Sequence, residues 1–351
     1  MPDLTHVGLL YGGLSSEHDV SVRSARNVAR ALDPERYRVT PIWISREGRW
    51  HVQSGLGALL DGTDEPGRTA LLDPFGAGGA VRVDGEPLGL DVVFPVLHGQ
   101  NGEDGAVQGL LKTLGLPFVG PDVLASAVCM DKETAKRLLR DAGLPVVPFL
   151  LAGGGLAYAE AVGELGSPLF VKPAGSGSSV GVSKVEGEDG WGPALDAARG
   201  YDRKVLVETA VVGREVECAV LGNERPEASA PGEVVSTAQF YTYDAKYEDP
   251  GASHMEVPAD LAPETAERVR DLALRAYRAL GCEGMARVDF FVTDGGDVFV
   301  NEVNTIPGFT ERSMYPVMWA HGGLDLGALF DRLIDLALDR HRRDAALKTT
   351  R

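Results

Sequence analysis

The chain has 351 residues, of which 44% are hydrophobic and 24% charged, and its 34 Lys and Arg stand against 51 Asp and Glu for a net charge of −17. These proportions are those of a soluble globular chain, long enough for two to three domains at about 150 residues each. The negative field repels nucleic acid and anionic membranes, so neither is expected as a partner, and a nucleotide would have to be held by local lysines and a metal.

In chain order, MPDLTHVGLLYGG carries no basic leader, and its VGLLYGG run (7–13) reads as a buried strand entering a glycine turn. Val22, Ala25, Ala29 and Leu32 then recur at helical spacing. VTPIWI (39–44) and DVVFPVLHG (91–99) are further strands, and DGAVQGLLKTL (104–114) is a helix. The Gly-, Pro- and Asp-rich stretch at about 55–90 is expected to be irregular or a short hairpin. Strand–helix alternation implies a parallel sheet with functional loops at the carboxyl ends of its strands.

Past GPD (120–122) the pattern changes. MDKETAKRLLRDAG (130–143) is a helix closed by Gly143. The short runs PVVPFLLA, LFVKPA, GVSKV and VLVETAV, with helical patterns near 156–165 and 190–200, make a small module of antiparallel character. REVECAVLG (214–222) opens a third region, with a helix at 263–280, two strands, and a last helix near 325–341. The expected domains are 1–120, 121–210 and 211–351, an α/β chain with α+β modules. Cys129, Cys218 and Cys282 match no metal-ligand or redox spacing, and their apolar neighbours predict buried free thiols in a reducing compartment. No run approaches the ~18 apolar residues of a membrane span, and a cytoplasmic protein is expected.

Two segments carry the chemistry. In VKPAGSGSSVGVSKV (171–185) a strand delivers Lys172 ahead of a glycine–serine run, whose backbone N–H groups can approach phosphate oxygens. The lysine precedes the glycines, which excludes a P-loop, and Gly175, Gly177 and Gly181 lack the spacing of a dinucleotide fingerprint. A lysine-led glycine flap between two strands resembles the phosphate lid of the ATP-grasp fold. In ARVDFFV (286–292) and DVFVNEVNTIPGFT (297–310), strand alternation puts Glu302 and Asn304 on one face, where Asp289 of the neighbouring strand could meet them. Two carboxylates and an amide oxygen suit Mg²⁺, and burying them in apolar strands is costly without a cation. Arg287 adds a positive charge where an oxyanion could develop.

HVGLLYGGLSSEHDVSV, FPVLHGQNGEDGAVQG, CMDKETAK, VKPAGSGSSVGVSKV, FYTYDAKY, ARVDFF and NEVNTIPGFTERSMYP occur in the order found in D-alanine–D-alanine ligases, over residues 6–316. The chain resembles that family, which implies a three-domain ATP-grasp enzyme, active as a homodimer. Such an enzyme phosphorylates one D-alanine with ATP and joins the acyl phosphate to a second, for peptidoglycan synthesis. By the same resemblance Glu17 holds the first D-alanine's ammonium and His98 lies near its carboxylate. Lys132 and Lys172 contact the ATP phosphates, Glu208 the adenine and Glu215 the ribose. Asp289, Glu302 and Asn304 match the ligands of two Mg²⁺ ions, for which Mn²⁺ could substitute, with Glu302 bridging. Arg287 and the Gly308 N–H resemble the oxyanion hole, and Ser313 with the Met314 backbone the acceptor's carboxylate site. Lys246 and Tyr247 lie in a loop similar to the family's closing loop, where Tyr247 reaches Ser178 and Glu17.

The chain departs from the family pattern at Gln100, Asn101, Thr209, Thr242, Glu311, Arg312 and Val317. The acceptor-side changes bear on the second amino acid more than on the reaction class. Two other readings stand beside the ligase: a paralogue making another dipeptide or a depsipeptide in antibiotic biosynthesis or self-resistance, and a nucleotide sensor without catalysis. Intact Arg287, Asp289, Glu302 and Asn304 weigh against the sensor.

Overall fold

The structure, a computed structural model, describes residues 4–62, 67–74, 80–236 and 253–348, and its strands form three sheets. The first is built on β1 (Thr5–Gly12), whose apolar run is buried almost throughout, as a central strand requires. It continues through β2 (Tyr37–Ile44), β3 (Trp50–Val52), β4 (Arg68–Leu72), β5 (Val81–Val83), β6 (Glu86–Pro87) and β7 (Val92–Val96), in the order β6-β5-β4-β3-β2-β1-β7. Parallel pairing joins β2, β1 and β7, and an isolated parallel bridge sets Phe118 beside Val93. The stretch expected to be irregular or a short hairpin holds antiparallel hairpin strands, part of a meander from β3 to β6 that extends the sheet. Helix His18–Ala31 crosses between β1 and β2 and buries Val20, Ala25, Val28 and Ala29. Its start and the loop after β7 both lie at the carboxyl ends of the parallel strands, where such sheets bind ligands.

The second sheet is antiparallel: β8 (Phe149–Leu151), β9 (Leu169–Pro173), β10 (Ser183–Val185) and β11 (Val205–Thr209), in the order β10-β9-β11-β8. One face buries Leu169, Val171, Val205 and Val207 with Trp191, Ala194 and Leu165 of its two helices. Alternation leaves Lys172 and Glu208 on the opposite face.

The third sheet holds β12 (Arg214–Leu221), β13 (Glu227–Ala228), β14 (Gly232–Ser236), β15 (Ser253–Glu256), β16 (Met285–Val292) and β17 (Val298–Asn304). β12, β16 and β17 are antiparallel neighbours, and helix Pro263–Ala279 covers the face made by Val216, Cys218, Val288, Phe290 and Val300. The C-terminal helix Leu326–Ala345 runs back to the first sheet, where Phe330 meets Phe94 edge to face, their ring centroids 5.6 Å apart. Phe309 joins the same aromatic cluster, so the segment after β17 is fixed against β7.

Candidate active site

The flap, 174–182, leaves β9 and returns at β10. Asp202 accepts the Gly175 N–H at 2.7 Å and anchors its start, while Ser178 and Ser179 take left-handed backbone conformations (φ 50° and 59°) that turn its tip. There the Ser178 Oγ donates to Glu17 Oε1 at 2.5 Å, so the flap reaches the first sheet. Glu17 is itself buried at the head of helix His18–Ala31. Gly99 (φ 74°) passes so close that a Cβ there would lie 2.7 Å from Glu17 Oε2, which only glycine avoids.

Lys132 opens helix Lys132–Asp141, capped by the Asp131 carboxylate on the Thr134 N–H at 2.9 Å. Its ammonium donates to the Ser176 carbonyl of the flap at 2.7 Å and lies 3.3 Å from Glu302 Oε2. One cation therefore touches both the flap and the third sheet. Lys172, from β9, pairs with Glu208 at 2.7 Å on β11. Glu208 is buried, and its other oxygen lies 3.1 Å from Lys136, a lysine the sequence reading passed over. Burial works against the Glu208 charge, but the two ammonium groups overcome it and hold its pKa below the usual carboxylate value.

On the third sheet Glu217, Asp289 and Glu302 stand in register across β12, β16 and β17, with Arg287 opposite Asn304 one rung away. Arg287 binds Asp289 through both oxygens at 2.7 Å and lies 3.0 Å from Glu217 Oε2. Burial opposes its charge, and these carboxylates hold its pKa well above the ordinary arginine value. Glu217 was not expected; its partner in the site comes from a strand some 70 residues away in sequence, by the β12–β16 pairing. The Asn304 Oδ1 is buried without a hydrogen-bond partner. An orphaned amide oxygen beside Glu302 is the kind of acceptor a hard cation satisfies, so the residues present fit Mg²⁺. Among the described residues no three Asp, Glu, His or Cys groups converge on one point, so a cation here would take its remaining ligands from phosphate and water. Glu215 is exposed, two residues before Glu217 on the same strand face.

His98 is buried after β7, its Nδ1 3.1 Å from the Ile306 carbonyl and its Nε2 3.3 Å from Ser24 Oγ. A carbonyl only accepts, so Nδ1 carries the proton and Nε2 accepts from Ser24. Burial keeps the ring below the usual imidazole pKa, against the pull of Glu17. Ser24 Oγ in turn accepts the Phe309 N–H at 3.1 Å, tying His98 to the loop after β17. Glu103, also passed over in the sequence, accepts the Gly99 N–H at 2.7 Å; burial, then the neighbouring Glu17 charge, push its pKa up to about 8. Its only sequence signal was a carboxylate inside the glycine-rich turn HGQNGEDG.

In the loop after β17, a Cβ on Gly308 would lie 2.7 Å from Ser313 Oγ, so any larger residue there would displace the serine side chain. Ser313 Oγ accepts the Thr310 N–H at 2.9 Å and precedes the helix Met314–His321, with the Met314 side chain buried. Thr209 turns away, its hydroxyl donating to the Leu165 carbonyl at 3.0 Å. Lys246 and Tyr247, like Thr242, lie outside the described residues. The expected buried free thiols are found, with Cys129 and Cys282 Sγ 3.7 Å apart. Among the described residues no helix is long and apolar enough to cross a membrane.

Comparison with known proteins falls in line with this geometry. Residues 6–121 match the family model for the D-ala D-ala ligase N-terminus, and residues 138–335 that for the D-ala D-ala ligase C-terminus. The chain is 49% identical over 358 residues to D-alanine–D-alanine ligase A of Escherichia coli (strain K12), covering 98% of each. It is 51% identical over 356 residues to the protein of the same name from Chromobacterium violaceum, covering 97% of each. Among solved structures, the D-alanine–D-alanine ligase from Coxiella burnetii superposes with a TM-score of 0.88 at 38% identity, over 97% of this chain and 96% of that one. The VanG D-Ala:D-Ser ligase from Enterococcus faecalis does so with a TM-score of 0.86 at 34% identity, over 95% of this chain and 100% of that one.

Proposed function

Because this chain belongs to the D-alanine–D-alanine ligase family, with its ATP-grasp fold, we propose that it joins two D-alanines with ATP, through an acyl phosphate, to supply D-alanyl-D-alanine for peptidoglycan. The observation that carries this reading is the closure of the flap on both sides at once: Lys132 spans the Ser176 carbonyl and Glu302, while Ser178 reaches Glu17. A nucleotide under the flap is thereby brought to the carboxylates of the third sheet and to the amino-acid site of the first. The division at 1–120, 121–210 and 211–351 belongs to the same reading and is supported by the three sheets.

In this account Lys132 and Lys172 hold the phosphates, with Glu208 at the adenine and Glu215 at the ribose. Asp289, Glu302 and Asn304 would hold two Mg²⁺ ions; an ionised carboxylate has lone pairs to spare, so Asp289 need not leave Arg287 to serve. When bound, the ions offset the charge of the triphosphate. Glu17 takes the first D-alanine's ammonium, and neutral His98 sits by its carboxylate without neutralising it. Arg287 and the Gly308 N–H face the oxygen on which charge develops. Ser313 and the Met314 backbone receive the acceptor's carboxylate. The closed site has to exclude water, which would otherwise hydrolyse the acyl phosphate. Ser178→Ala removes a hydrogen bond to a charged group, about 1.5–3 kcal/mol. The expected result is a rise of about tenfold or more in KM for the first D-alanine, with that for ATP changed less; steady-state kinetics with each substrate varied checks it.

D-serine as acceptor is a second reading, favoured by the likeness to a D-Ala:D-Ser ligase structure and by the unusual Glu311 and Arg312 beside Ser313. Competition among D-alanine, D-serine and D-lactate decides between them. D-Alanyl-D-alanine should predominate and increase from mildly acidic to mildly alkaline pH, because the attacking amine must first lose a proton. A D-alanyl-D-serine majority would select the second reading, and D-alanyl-D-lactate at neutral pH would contradict both.

A further inference from the structure

Lys132 and Lys136 are one helical turn apart on helix Lys132–Asp141 and so share a face. Both enter the gap between the second and third sheets, Lys132 toward Glu302 and Lys136 toward Glu208. Lys136 is only 1% exposed. Its ammonium lies within ion-pair distance of Glu208 Oε1, yet neither atom has an aligned hydrogen bond. The second oxygen of Glu208 is 2.7 Å from Lys172. One buried carboxylate is thus shared by two lysines, and the triad keeps one net positive charge.

A buried lysine is costly to keep charged, and burial pushes Lys136 down to about 8 against the pull of Glu208. The carboxylate alone does not explain it, since Lys172 already pairs with Glu208. With Lys136 absent, both Glu208 oxygens would turn to Lys172, and that ammonium would be neutralised where bound phosphates require a cation. We propose that Lys136 is a positioning residue for the nucleotide phosphates: by occupying one oxygen of Glu208, it leaves the charge of Lys172 available to them. This rests on the nucleotide reading of the flap.

The test is ADP affinity, measured calorimetrically without amino acid or metal in four chains: unmutated, Lys136→Met, Glu208→Gln and the double variant. Lys136→Met should weaken ADP binding about tenfold, the scale of one charge-assisted contact, while D-alanine affinity stays within about twofold. In the Glu208→Gln background no carboxylate remains to neutralise Lys172, so the same substitution should change affinity less than about twofold. Lys136→Arg, which keeps the charge, should bind ADP nearly as the unmutated chain does. An equal loss in both backgrounds would mean that Lys136 acts on the nucleotide directly or only through the fold, and would overturn the proposal. No loss in either background would overturn it as well, with the nucleotide site intact. If the unmutated chain binds no ADP, the reading of the flap fails and takes the proposal with it.

Discussion

Glu302→Gln is expected to lower turnover about a thousandfold and to raise the Mg²⁺ concentration needed for half-maximal rate, since one metal ligand supplies several kcal/mol to charge stabilisation. Asp297→Asn, five residues earlier, should leave both within about twofold. Asp297 is an exposed residue at the turn between β16 and β17, whereas Glu302 stands opposite Asp289 and 3.3 Å from Lys132. The amide is nearly isosteric, so loss of charge and of metal affinity accounts for the effect, not loss of packing. A Mg²⁺ titration of both variants is the check, and equal effects would mean that the metal site lies elsewhere.

Lys172→Met should lower kcat/KM for ATP about a hundredfold, corresponding to about 3 kcal/mol for a charged contact with phosphate. The fold should tolerate the change, because Glu208 would keep Lys136 as its partner and is not left as an isolated buried charge. KM for D-alanine is expected to move little. Near-normal ADP production by this variant would remove Lys172 from the phosphate site.

Alternation along a strand was enough to put Glu302 and Asn304 on one face, and the lysine-led glycine run was enough to mark the flap between β9 and β10. Both are local patterns, which a sequence displays directly. Glu217 was invisible because its place beside Arg287 depends on the pairing of β12 with β16, a nonlocal contact. Lys136 was invisible for a different reason. A lysine inside KETAKRLLRD reads as solvated until Glu208, from a distant strand, is found waiting for it. Helix Val123–Met130 is apolar nearly throughout, and Met314–His321 carries a proline in its first turn, so neither shows the two-faced period that marked the longer helices. The β3–β6 meander escaped because strands of two to five residues are too short for a period-2 signal.

Ligation itself is read out by following ADP release and product mass together. The purified chain would be supplied with ATP, Mg²⁺ and mixed D- and L-amino acids, with single omissions as controls. ADP should be released only when D-alanine is present, with one D-alanyl-D-alanine formed for each ADP and no L-containing dipeptide. ADP release that ignores the amino acids, or D-alanine-dependent release without any D-alanyl product, would contradict ligation.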